Sequence, residues 1–109
     1  MNIRHYILQR ATAAIMAPLA LAHIAVIFYA TGRGLSAVEI LGRTRGSIAW
    51  GTFYTLLVLA AATHGAIGVR AVASEWAGLR GHGLDAVMWG FGLVLAALGL
   101  RAVASVVLP

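Results

Sequence analysis

The sequence predicts an all-α membrane protein of three transmembrane helices, and three observations carry that expectation. The 109 residues are 61% hydrophobic and only 10% charged. The mean hydropathy is +0.92. Three long stretches are free, or nearly free, of formal charge. A soluble domain of this size is about a quarter charged, so eleven charged residues leave most of the surface facing lipid or other subunits.

Residues 11–30 carry no formal charge, and twenty helical residues at about 1.5 Å each cross the roughly 30 Å hydrocarbon core. Ala20-Leu21-Ala22 resembles a signal-peptidase site, but cleavage there would remove most of this apolar run, so it is read as the first span, about residues 7–30. In the connection that follows, Ser36-Ala37-Val38-Glu39 reads as a capping box opening a short interfacial helix. Residues 46–69 form the second charge-free run and continue as a helix through Arg70 towards Trp76, a span of about 47–74 that stops at the Gly78 to Gly83 region. Such a helix exceeds the bilayer core, so it tilts or protrudes, with Glu75 and Trp76 at the interface. Asp85 is the expected N-cap of the third span, about 85–108, whose only other charge is Arg101. Gly92, Ala96, Gly99 and Val103 form a mainly small stripe on it, suited to close helix packing. Residues 1–109 are therefore read as one three-helix membrane domain.

The net charge of +5 does not signal nucleic acid. All eight basic residues are arginines scattered along the chain, with no stripe for a phosphate backbone to follow. Most of them flank apolar runs, where lipid headgroups place them. They divide evenly between the two membrane faces, so their count leaves the orientation open. The Gly78 to Gly83 segment lacks the strand–turn–helix setting of a phosphate loop. Cysteine is absent, which removes disulfides, thiolate-held clusters and cysteine nucleophiles, so any redox centre is left to histidine.

His64 lies inside the second span, where a polar side chain needs a partner. Its neighbours at helical spacing, Leu57, Ala60, Ala61, Ile67, Gly68 and Ala71, are mostly small. The flat niche they leave suits the edge of a porphyrin, with the imidazole on iron, or the close approach of another helix to which His64 hydrogen-bonds. Arg70 follows six residues later, about 9 Å nearer the helix end, and Arg10 opens the first span at the same membrane face. The pair suits haem carboxylates or a quinone carbonyl, or else phosphate headgroups. His23 lies on a face with Met16, Leu19, Val26 and Ile27, bulkier than the neighbours of His64. It reads either as a distal haem ligand or as a helix–helix hydrogen-bonding group. His5 and His82 fall at the membrane surface, and Trp50, Trp76 and Trp89 read as interface belt residues.

These residues also carry a resemblance. The run from His64 to Arg70, with Glu75 beyond it, resembles the H-x-x-x-G-[IV]-R-x-x-x-x-[DE] stretch of the cytochrome b556 (C) subunit of succinate dehydrogenase. Leu8-Gln9-Arg10-Ala11-Thr12-Ala13 is similar to the H-R-x-[ST]-G segment of that subunit's first helix, and order, size and layout agree over nearly the whole chain. The resemblance implies a membrane anchor of a succinate:quinone oxidoreductase that passes electrons from the iron–sulfur subunit to quinone and has no succinate site of its own. It implies haem b with His64 as an axial ligand, Arg10 at the haem propionates and the ubiquinone or menaquinone pocket, Thr12 and Tyr6 near the quinone, and Arg70 at a propionate. It further implies a second small anchor subunit supplying the other axial ligand, iron–sulfur and flavoprotein subunits as partners, and a bacterial inner membrane with the N-terminus cytoplasmic. The chain departs from the pattern at Gln9, where histidine is usual, at Tyr6, where serine is usual, and at Ala71, where a second histidine often follows the arginine. Two other readings stay open: a haem and quinone anchor of another flavoprotein dehydrogenase, and a haem-free three-helix membrane protein.

Overall fold

With no water inside a bilayer to satisfy N–H and C=O groups, a spanning segment must close its own hydrogen bonds, and the helix is the way a single segment does so. The computed structural model describes residues 3–109, and these fold into α1 (Ile3–Arg33), α2 (Ala37–Thr44), α3 (Ile48–Ala77) and α4 (His82–Val107). α1, α3 and α4 are each long and apolar enough to cross a membrane. The bundle is 48 Å along its principal axis, against about 30 Å of hydrocarbon, so helix ends reach the headgroups. Each long helix runs a few residues past the sequence-predicted span at one or both ends.

α3 is central and packs against both α1 and α4, while α2 lies on α4. The α3–α4 seam is close because the small residues of α4 meet branched or small residues of α3. A methyl group built on Gly99 would stand 2.5 Å from Cγ1 of Val58, and one on Gly92 would stand 3.1 Å from the Cβ of Ala66. The expected stripe of small residues is therefore the packing surface of α4. Beside it Ala66, Ile67 and Met88 form the buried core. Most other large apolar side chains, including Leu21 and Phe28 on α1, point outward, as helices solvated by lipid or by other subunits require.

Helix ends follow local chemistry. Ser36 caps α2 by accepting from the N–H of Glu39, as the capping box predicts, while the Glu39 carboxylate turns to Arg33 at 3.1 Å. α3 stops at Gly78, whose φ of 70° places it in the left-handed region that glycine enters without steric cost. The start of α4 corrects the expectation for Asp85. The helix opens at His82 behind Gly81, and Asp85 lies in its first turn, where a carboxylate is favoured by the helix dipole. The physical reason is a competitor for the carboxylate: Arg70 Nε of α3 donates to Asp85 Oδ1 at 2.6 Å.

At the other end of the bundle α2 closes onto α4. Thr44, the most buried side chain among the described residues at 1% exposure, donates its hydroxyl to the Val106 carbonyl at 2.6 Å. The Gly46 N–H reaches the Val107 carbonyl at 2.6 Å. Both acceptors are terminal carbonyls with no partner inside their own helix. Arg43 of α2 lies between the rings of Tyr29 and Trp50, 5.4 and 5.5 Å from their centroids, tying α1, α2 and α3 together by cation–π contact.

Two substitutions test this packing. Gly99→Ala should destabilise the protein in detergent by about 1–3 kcal/mol through overpacking, less whatever alanine gains in helix propensity. Adding Val58→Ala should recover part of the loss, and a double-mutant thermal-denaturation cycle without coupling would place the contact elsewhere. Thr44→Val should cost about 1–3 kcal/mol by leaving a buried carbonyl unsatisfied. The effect is read as faster amide exchange confined to α2 and the end of α4.

Candidate functional site

The site is assembled where α1 and α3 run side by side. Thr12 is buried at 8% exposure, one of the two buried polar residues among the described ones. Its hydroxyl donates to the Leu8 carbonyl one turn earlier at 2.7 Å, with the Gln9 carbonyl further away at 3.2 Å. This back-bonding is the usual way a hydroxyl is accommodated in an apolar helix. The same oxygen lies 3.3 Å from Nδ1 of His64 on α3, a contact between residues 52 positions apart. The need of a membrane-buried imidazole for a polar partner is therefore met on one of its two nitrogens by α1.

His64 is half-buried and lines an open groove of about 500 Å³ whose other walls are Tyr6, Gln9, Arg10, Ala13 and Ala14 of α1. Ala13 and Ala14 keep the wall flat. Tyr6, Gln9 and Arg10 supply a hydroxyl, a carboxamide and a guanidinium towards the N-terminal end of the helix. Arg10 is exposed, with its Cζ 6.0 Å from the centroid of the Tyr6 ring, so its donors are not held by an acidic partner among the described residues. Gln9 keeps its Oε1 buried without a hydrogen-bond partner among the described residues. Of the residues singled out in the sequence, the fold brings together His64, Thr12, Arg10 and Tyr6.

Arg70 is placed otherwise. Its Nε is committed to Asp85, its side chain is 18% exposed, and it lines a smaller recess with His5, Ile67, Ala71, Ser74 and Glu75. It does not line the groove of His64. His23 is also apart: its ring meets Tyr54 edge-on, with centroids 6.1 Å apart, and its Nδ1 is buried without a hydrogen-bond partner among the described residues. Tyr54 precedes His64 by ten residues, about 15 Å along α3, so the two histidines lie at different depths. His5 borders an apolar cavity of about 150 Å³ with Leu8, Thr63 and Trp89, on a different side of the α1–α3 contact. Among the described residues no three histidine, aspartate or glutamate side chains converge as a metal-binding group.

Sequence reasoning placed Thr12 near a quinone and did not find its contact with His64. The available signal was a lone hydroxyl two residues beyond Arg10 in an otherwise apolar stretch. Nothing in either motif sets which residue of α1 faces which residue of α3. Gln9, noted as a departure from a family pattern, proves to be part of the groove wall.

Comparison with curated proteins and with solved structures gives no match. A family model, the succinate dehydrogenase/fumarate reductase transmembrane subunit, matches residues 2–105. That stretch takes in all of α1, α2 and α3, nearly all of α4, and every residue of the groove. With three spanning helices and nearly its whole length matched, the chain belongs to the succinate dehydrogenase/fumarate reductase transmembrane subunit family.

Proposed function

We propose that this chain is a haem b- and quinone-binding membrane anchor of a succinate:quinone oxidoreductase, with His64 as one axial ligand. The observation that carries the reading is the groove itself. One half-buried imidazole borders a flat alanine wall, with a guanidinium and a phenol on the same helix towards one membrane face. The donor set fits a haem. A neutral imidazole is a common axial ligand, small side chains admit the macrocycle edge, and Arg10 offers a planar fork of donors to a propionate carboxylate. A bound haem supplies a one-electron store beside the quinone.

The roles of this chain's residues follow from their chemistry. His64 would hold the haem iron through the ring nitrogen that Thr12 does not occupy. Arg10 binds a propionate and polarises a quinone carbonyl, and the Tyr6 hydroxyl donates to a quinone oxygen. Arg70 acts first as the tie between α3 and α4, with its remaining guanidinium nitrogens available at headgroup depth for a second carboxylate. The groove is open and contains one histidine, so a second histidine for the same haem would come from a second small anchor subunit seated against α1. The outward apolar residues of α1, such as Leu21 and Phe28, support that docking. The iron–sulfur and flavoprotein subunits dock at the face where Arg10 lies, which puts the N-terminus on the cytoplasmic side of a bacterial inner membrane. The quinone is ubiquinone or menaquinone.

Two experiments test the reading. In the purified complex His64→Ala should abolish or severely reduce the dithionite-reduced minus oxidised haem b spectrum, and an unchanged low-spin signal would remove His64 from the ligand set. Arg10→Ala should lower quinone reduction through loss of a charge-assisted hydrogen bond worth about 1.5–3 kcal/mol, roughly 10- to 100-fold. Succinate oxidation with an artificial acceptor should be largely spared. Equal loss of both activities would instead indicate general instability.

A further inference from the structure

Three distances at Thr12 Oγ1 determine where the protons lie: 2.7 Å to the Leu8 carbonyl, 3.2 Å to the Gln9 carbonyl, which also accepts, and 3.3 Å to Nδ1 of His64. Its hydroxyl has one proton and two lone pairs. The Leu8 carbonyl oxygen stands 2.7 Å from Oγ1, a separation that two oxygens hold favourably only with a proton between them. The threonine proton is therefore spent on Leu8, and what Oγ1 presents towards His64 is a lone pair. At 3.3 Å, Nδ1 of His64 can pair with it only as a donor. The imidazole is then protonated on Nδ1, which leaves the lone pair on Nε2. Donation to Leu8 also polarises the hydroxyl and makes its oxygen a better acceptor.

We infer that Thr12 is a positioning residue that fixes the Nδ1–H tautomer and ring orientation of His64, so that Nε2 is the nitrogen offered to a metal. The inference rests on the haem reading above and deepens it. An imidazole that binds iron through one nitrogen commonly donates its other N–H to an acceptor, which orients the ring and makes the ligand more electron-rich. Here that acceptor belongs to another helix. Because Thr12 is buried and back-bonded to its own helix, its position is set by α1, and the ligand on α3 takes its orientation from it.

The test uses the purified complex with Thr12→Val, which keeps the branched shape and removes the oxygen, and Thr12→Ser, which keeps the oxygen. Haem is counted in each, its retention against a haem-scavenging apoprotein is followed, and the midpoint potential and the low-spin electron paramagnetic resonance signal are recorded. For Thr12→Val the expected result is haem retention roughly 10-fold weaker, a midpoint potential shifted to more positive values, and an altered signal, because a less electron-rich ligand stabilises ferric iron less. Thr12→Ser should stay close to the unsubstituted protein. A valine variant that holds haem with unchanged potential, signal and retention overturns the role of Thr12 and leaves the haem reading standing. Serine and valine variants that change equally also overturn it, since packing rather than the oxygen would then be at work. A complex without haem when unsubstituted overturns the haem reading, and this inference falls with it.

Discussion

The close approach of α3 to its two neighbours is the constraint on which the rest of the structure depends. In lipid the apolar side chains gain little by meeting one another, so helices associate through close van der Waals contact and a few buried polar pairs. α3 has both. On one side Gly92 and Gly99 of α4 let the backbones approach, and Arg70 locks the depth of the two helices through Asp85. On the other side the polar contact of Thr12 with His64 stands at the α1–α3 seam. The register of α1 against α3 fixes which side chains of α1 surround the imidazole, and so the composition of the groove.

Hydroxyl groups recur as instruments of that economy. Thr12, Thr31 and Ser105 each donate to the carbonyl four residues earlier, which hides the proton and leaves the oxygen as an acceptor. Thr44 also has the carbonyl four residues earlier, that of Ile40, at 3.1 Å, but its shorter bond, 2.6 Å, runs to a carbonyl of another helix. The same side-chain type thus serves two ends: an internal donor whose lone pairs stay available to a neighbouring helix, and a plug for a helix end that has no further turn to bond with.

Features governed by neighbours in sequence were legible, and those governed by neighbours in space were not. The three spans, the stop in the Gly78 to Gly83 region, the cap at Ser36 and the small stripe of α4 follow from hydropathy, glycine and spacing within a turn or two, and the fold reproduces them. Asp85 reads locally as a cap, yet it lies inside the first turn of α4 and pairs with Arg70, fifteen residues away. Thr44, Arg43 and the Thr12–His64 contact left no readable pattern, since each depends on a helix–helix register that periodicity does not specify. The candidate site was half legible. Family-like motifs selected His64, Arg10, Tyr6 and Thr12, whereas only the fold separates Arg70 from that group and brings in Ala13, Ala14 and Gln9.

The clasp between α2 and α4 joins residues 62 positions apart, Thr44 and Val106. During ribosomal synthesis the chain emerges N-terminal first, at about 5–20 residues per second. The hydroxyl of Thr44 therefore has to wait several seconds, after the first span and α2 have left the ribosome, for the carbonyl it will finally engage. Over that interval α2 has no seat on α4 and is free to rest on the membrane surface. The clasp can form only once α4 is present, so it reports that α2 and α4 have come together.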